Sequence, residues 1–350
     1  MLTLHIVRGP LDDNLNPAIL NGYTELTRAT VSPENFRRWM QRSPEGPALH
    51  AVLKSQNGAI AGHCCLFPFP LNVGGKRVTA AKAEYFFVKT EFRKEAVLGH
   101  EGSMKPAAVL LLEGLYRSGK QLGWCPYLVS APTGVAPLHR LAGCRKLTIP
   151  LTECLLTFRP WKAAIHTPNL GTSQRMALGG IGTLQRVAWA VPPKSDPLVR
   201  EVPADAPSEN CGSNQGIGLS CDPDFLAWRY SPSEYLRLRN ETSTDLGVIV
   251  KRGGARDYVR VCHSSLGSHE QFRKPLLKTL IATALAERSL GVRWAVYDDG
   301  VSEKQLVPVL RKLAFLCRRR ERTIYVHGLA PADLEPAVWH LQDSLFCFDS

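Results

Sequence analysis

No apolar run in this sequence reaches the roughly 18 residues that a membrane-spanning helix needs, and the longest candidates are broken by Arg, Lys or Pro. The opening residues, M-L-T-L-H-I-V-R-G-P, lack the charged-then-apolar layout of a signal peptide and read as a first strand, so a cytoplasmic protein is expected. Cysteine is not scarce, at ten, but no two stand at C-x-x-C spacing. The tight pair Cys64–Cys65 suits neither zinc nor dithiol exchange, so the cysteines read as reduced and mostly buried, and no metal site is argued. G-x-S-x-G is missing as well. His263, Ser264, Ser265 and His269 near Asp257 therefore lack a nucleophile elbow, and His100-Glu101 does not continue into H-E-x-x-H.

Acidic residues are fewer than basic ones, 31 against 43, which leaves a net charge of +12. The densest part is C-R-R-R-E-R, Cys317 to Arg322, read as the end of a helix whose solvated face complements the helix dipole, or as a patch that attracts an anionic partner. Nucleic acid ranks last among such partners, because no aromatic interleaving or groove-reading motif accompanies the charge. A chain of 350 residues, 44% hydrophobic and 21% charged, has the make-up of a soluble globular protein with room for two domains.

The organising stretch is Glu84 to Ser130, which reads as strand, glycine-bearing polar loop, helix and strand. Tyr85 to Val88 is aromatic and β-branched, and Ala107 to Leu122 carries an apolar stripe at Val109, Leu112 and Leu115. The loop between them holds Arg93, Gly99, His100, Gly102 and Ser103, with Ser103 placed as the N-cap. Such a loop collects backbone N–H groups and the positive end of a helix dipole around a phosphate. Upstream, Thr3–Arg8 is a strand, helices follow over Asn16–Ala29 and Pro33–Gln41, and His50–Lys54 and Ala59–Phe67 form a hairpin about Asn57-Gly58. Pro68 and Pro70 end that strand or mark an edge, and Gly74-Gly75 makes a second reversal. Downstream come a strand at Trp124–Val129, a short helix at Val135–Ala142 and a strand at Leu147–Phe158. Residues 161–194 read as a linker, and 195–350 repeat the order of the first 160 residues. The expected class is α/β of α+β type, each half a mixed, mostly antiparallel sheet flanked by helices.

Three places carry a resemblance to a known superfamily: V-K-T-E-F-R (Val88–Arg93), A-P-L-H-R-L-A-G-C (Ala136–Cys144) and F-L-A-W-R-Y (Phe225–Tyr230), with W-H-L-Q-D-S from Trp339 closing the second half. The first half resembles the GNAT (GCN5-related N-acetyltransferase) superfamily. The whole chain is similar to the tandem-GNAT proteins often found among bacterial polysaccharide-biosynthesis genes. The resemblance implies a transferase that uses acetyl-CoA as co-substrate and acetylates an amine directly, such as an amino sugar or polysaccharide precursor. It departs from the family where Arg93 is followed by K-E-A-V-L, so that the glycines arrive late, at Gly99 and Gly102.

Acyl transfer to an amine requires a deprotonated nucleophile, a stabilised oxyanion and a protonated leaving thiolate. Glu84 is the expected general base, because even spacing puts it on one face of the pleat with Phe86 and Val88; the alternative is a solvated Glu at a strand start. His139 stands where the family often has a Tyr that protonates the thiolate, and an imidazolium suits that task; a solvent-facing helix His is the alternative. The resemblance also implies that a backbone N–H near Phe87 or Val88 meets the thioester carbonyl. It implies further that Arg93, Gly99, His100, Gly102 and Ser103 hold the pyrophosphate, unless the altered loop is degenerate, and Ser130 either bonds the pantetheine arm or only ends a strand. In the second half, Cys262–Lys274 offers only Gly267, so no CoA site is expected there. The competing class is a GNAT-fold binding or scaffold protein that has lost catalysis.

Overall fold

The computed structural model describes residues 2–11, 15–27, 32–98, 102–129, 134–166, 171–191, 193–195, 197–202, 217–219, 223–241, 247–265, 270–297, 302–329 and 339–340. Contacts divide the chain into two compact units. One comprises Met1–Thr148 with Thr323–Glu335, and the other Ile149–Arg322 with Pro336–Phe348.

In the first unit, β1 (Thr3–Arg8) leads into α1 (Leu15–Thr27) and α2 (Pro33–Gln41), the latter capped by Ser32, whose Oγ accepts from the Asn35 amide. Strands β2 (Leu49–Lys54), β3 (Ile60–Val73) and β4 (Lys76–Val88) follow as antiparallel neighbours. Both glycine turns form where the sequence places them, with Gly58, Gly74 and Gly75 all at positive φ. Pro68 and Pro70 do not end β3. They pair with Ala81 and Thr79 of β4, beyond Leu66, where the β2 ladder stops, so their missing N–H groups fall at an edge within this unit.

After β4 the chain makes a two-stranded hairpin, β5 (Ala96–Leu98) and β6 (Met104–Pro106), then α3 (Ala107–Gln121), β7 (Tyr127–Val129), α4 (Ala136–Leu141) and β8 (Arg145–Thr157). Strand β7 pairs in parallel with β4, and antiparallel with Tyr325–His327 late in the chain. One face of this sheet packs Leu49, Ala51, Leu66, Ala81 and Ala83 against Leu111, Leu112 and Leu115 of α3. Gly62 allows that approach, since a Cβ there would lie 2.9 Å from the Phe87 carbonyl and 3.3 Å from Leu111. On the other face, the Phe87 ring lies 2.7 Å from where a Cβ of Gly22 in α1 would stand, and the Tyr85 ring meets Tyr23 and Phe36 edge-on.

In the second unit, residues 161–194 hold two helices where a linker was expected, α5 (Pro160–His166) and α6 (Thr172–Ala188). They are followed by β9 (Val199–Val202), β10 (Ile217–Leu219), α7 (Pro223–Arg229), β11 (Tyr235–Asn240), β12 (Gly247–Lys251), β13 (Tyr258–Ser265) and α8 (Glu270–Ala286). Then come β14 (Gly291–Tyr297), α9 (Ser302–Lys312), β15 (Leu316–His327) and β16 (Trp339–His340), which pairs with β10. Strands β8, β14, β13, β12, β11 and β9 lie side by side, with β13 and β14 parallel. Phe225, Leu226, Trp228, Arg229 and Tyr230 are all buried, and the Arg229 guanidinium lies over the rings of Tyr230 and Tyr235. The Arg318–Arg322 run is strand rather than helix end, because α9 closes at Lys312 and Ala314 turns the chain at φ +65°. The closing strand expected at Leu345–Phe348 lies outside the described residues. No helix among the described residues is long and apolar enough to cross a membrane.

Burial holds His63, His139 and His263 down at about 4, against an ordinary value of 6.5. A lowered histidine pKa means that the unfolded chain takes up protons first as the pH falls, so stability is full above pH 6.5 and declines towards pH 4. Each of the three is expected to cost about 2 kcal/mol between pH 6.5 and pH 5. Urea midpoints at pH 7 and pH 5 check this, and equal midpoints would contradict it.

Candidate functional site

Strand β4 carries one residue more than its partner. His63 faces Phe87 and Cys65 faces Glu84, so three steps on β4 match two on β3. The extra residue is a β-bulge, and Tyr85 within it has φ +52°, an uncommon conformation for a non-glycine residue. Its displaced carbonyl is met by His63, whose Nδ1 lies 3.1 Å away. A carbonyl only accepts, so Nδ1 carries the proton, Nε2 of His63 accepts, and His50 Nδ1 donates to it across 3.1 Å. Both imidazoles are buried, and burial lowers both pKa values.

The bulge changes which side chains share a face. Alternation from Ala81 and Ala83, which face α3, puts Lys82 and Glu84 on the α1–α2 side. Tyr85 also points there, while Phe86 and Val88 return to the α3 side. Glu84 is therefore not on the face of Phe86 and Val88 that even spacing implies. Its carboxylate forms an ion pair with the ammonium of Lys82, whose side chain is 1% exposed against 23% for Glu84.

Pairing between β4 and β7 is confined to Ala81–Tyr127 and Lys82–Leu128. Strand β4 runs on to Val88 past the last of these pairs, and the end of this ladder, just before the bulge, marks a notch beside β4. On the α3 side, α4 delivers His139, 2% exposed, with its ring 6.1 Å from Phe86 and stacked on Tyr325 at 6.2 Å. Nδ1 of His139 shares a 3.1 Å hydrogen bond with Tyr116 Oη of α3. Burial pushes the His139 pKa down to about 4 and that of Tyr116 well above its usual range. His139 is thus a neutral imidazole near pH 7, neither the imidazolium expected for thiolate protonation nor a solvent-facing histidine.

The described part of the polar loop flanks the start of α3 with strand. Ala96–Leu98 and Met104–Pro106 pair as a hairpin, which places Gly102 (φ +74°) and Ser103 in the β-turn region ahead of β6. Pro106 rather than Ser103 is the N-cap of α3, and the Ala107 amide donates to the Glu95 carbonyl. Lys105 pins β6 to α3 through Glu113 at 2.7 Å. Arg93 donates from Nε to the Val88 carbonyl at 3.1 Å, fixing the end of β4. Gly99, His100 and Ser130 lie outside the described residues, as does Gly267. The structure thus gathers Phe86, Val88 and His139 on the α3 side of β4, with Arg93 bound to the Val88 carbonyl and with Glu84 and Phe87 on the opposite face. Sequence reasoning passed over Lys82, His50, His63 and Tyr116. Lys82 had a signal, since it stands two residues from Glu84 on the same strand face.

No protein-family model and no curated protein matches the sequence. Solved structures do match. A tandem GNAT protein from the clavulanic acid biosynthesis pathway aligns with a TM-score of 0.54 at 14% identity, over 94% of this chain and 99% of its own. This chain has the tandem GNAT fold. A protein of Enterococcus faecalis V583 described as a probable N-acyltransferase aligns at TM-score 0.55 and 11% identity, over 92% of this chain and 72% of its own. A GCN5-related N-acetyltransferase from Kribbella flavida gives 0.51 and 13%, over 94% and 71%. At such identities the likeness is one of GNAT fold, and the chemistry rests on the residues at the notch.

Glu84→Gln leaves the buried Lys82 ammonium without its carboxylate and is expected to lower stability by about 1–3 kcal/mol. The double substitution Lys82→Met/Glu84→Gln removes the buried charge and recovers most of that loss. Thermal denaturation of the three proteins reads this directly, and a single variant as stable as the parent would mean that the pair contributes nothing.

Proposed function

We propose that the first unit is an acyl-CoA-dependent N-acyltransferase, acetyl-CoA being its co-substrate, which transfers the acyl group directly to a small-molecule amine. The observation that carries the proposal is the notch: a bulged strand released from its parallel neighbour after two residue pairs, inside a GNAT fold. The edge of β4 beyond its last β7 pair, Lys82–Leu128, suits the amide-bearing pantetheine arm, which recognises a strand edge by the hydrogen bonds a further strand would make. Among the described residues no glycine stands at the start of α3, so the residues about Arg93 and the β5–β6 hairpin take the pyrophosphate.

In the reaction the amine nitrogen bonds to the thioester carbonyl carbon, the C–S bond breaks, and the proton lost by nitrogen passes to Glu84 directly or through water. The thiolate collects its proton from solvent. Glu84 on one face of β4 and the Phe86–His139 contact on the other stand on the two sides of the notch, as an attacking amine and a departing thiolate require. Neutral His139, held by Tyr116 and packed on Phe86, shapes the α3 side of the notch and acts as a positioning residue. Holding two reactants side by side supplies much of the rate, with about 7–11 kcal/mol available from positioning alone.

A GNAT-fold binding protein without catalysis is the second reading, favoured by the hairpin that stands in place of the loop. Calorimetric titration of the full chain with acetyl-CoA separates the two, together with acetyl-CoA consumption assays against amino sugars and polyamines. Saturable binding and turnover with at least one amine are expected, and no heat at high micromolar acetyl-CoA would end the acyltransferase reading. The stability-restored Lys82→Met/Glu84→Gln protein is expected to bind acetyl-CoA normally and to turn over about 100-fold or more slowly, the scale of a lost general base.

A further inference from the structure

A cavity of about 480 Å³ lies within the second unit, between the end of β8, α5, the C-terminal turn of α6 and the end of α8. Its lining includes two indoles, Trp161 and Trp189, and four cations, Arg159, Lys162, Arg186 and Arg288. None of the four cations has an ion-pair partner among the described residues. The acid nearest in sequence, Glu287, is engaged by Arg252. The Trp189 indole is anchored by its Nε1, which donates to the Leu313 carbonyl at 3.1 Å. Trp161, which is 56% exposed, packs its ring on Gly179 of α6, its ring carbons 2.7–3.0 Å from where a Cβ would be, so a larger residue at 179 would displace the indole. Arg288 holds φ +56° just past α8, a left-handed position that glycine occupies at least cost. An arginine kept there places a guanidinium at the cavity in spite of the backbone it has to adopt.

Four cations with no carboxylate partner among the described residues attract an anion, and the two indoles offer flat faces for a planar ring. A volume of about 480 Å³ is that of a small-ligand pocket rather than a surface for a folded partner. We propose that this cavity binds an anionic ligand bearing a planar ring, of the chemical class of a nucleoside monophosphate. The proposal stands independently of acyl transfer, since no residue of the β4 notch takes part in it.

Titration of the full-length protein with AMP, adenosine and inorganic phosphate, followed by tryptophan fluorescence and calorimetry, tests it. AMP is expected to bind saturably, and adenosine and phosphate each at least about tenfold more weakly, because neither supplies both ring and charge. Arg288→Gly with Lys162→Gln is expected to weaken AMP binding by about tenfold or more, with an unchanged or higher Tm, since glycine relieves the left-handed position. Absence of AMP binding at several millimolar, adenosine binding as tightly as AMP, or unaltered AMP affinity in the double variant would each overturn it.

Discussion

One hydrogen bond holds the first unit's working geometry: the imidazole N–H of His63 on the displaced carbonyl of Tyr85. A bulge takes a carbonyl out of the ladder, and a buried carbonyl without a donor is costly. With His63 supplying that donor, Tyr85 keeps its left-handed backbone, β4 bends, and the pairing with β7 stops two residues earlier. The tautomer this bond imposes passes to His50, so two neutral imidazoles become part of the bend itself. Their lowered pKa values follow from the same burial that makes the bond worth having.

The same burial explains why charge on the α1–α2 side comes as a pair. Lys82 stands on a strand between two layers of packed side chains, where a lone ammonium would be heavily penalised. Glu84, partly open to solvent, compensates it from two residues away. A carboxylate placed there by stability is also placed beside the notch. A structural role for Glu84 therefore coexists with the catalytic role proposed for it, and a substitution that removes one partner alone confounds the two.

Much of the fold is legible in the sequence, because it follows from local signals: Asn57-Gly58 and Gly74-Gly75 at the reversals, Ser32 capping α2, and the apolar stripe of α3. The site is less so. Parity along Glu84–Val88 presumes an unbroken pleat, and nothing in E-Y-F-F-V announces an extra residue; it shows only in the register against β3, some 20 residues away. The K-E-A-V-L stretch misled in a related way. Read against a glycine loop it is an insertion, whereas its Ala96–Leu98 run pairs with Met104–Pro106 as strand. His139 appeared as a residue on a short, exposed helix because the groups that cover it, Phe86, Tyr116 and Tyr325, come from three distant segments.

The second unit shows that the bulge is an architectural device rather than a local accident. In β13, Cys262 is the extra residue, lying between Val261, which faces Val250, and His263, which faces Ile249. Pairing of β13 with β14 ends at Val261–Trp294, immediately before it. In both units, then, an extra residue stands where a strand leaves its parallel neighbour, as expected if the bend is what breaks the ladder. The differences lie in depth and chemistry. Strand β4 runs six residues past its last pair with β7, lined by Phe86, Phe87 and Val88. Strand β13 runs four past its last pair with β14, through Cys262, His263, Ser264 and Ser265. A shallower, more polar opening suits a long apolar-flanked arm less well, and in that unit the concentrated binding chemistry is found instead among the indoles and unpaired cations at the far end of α8.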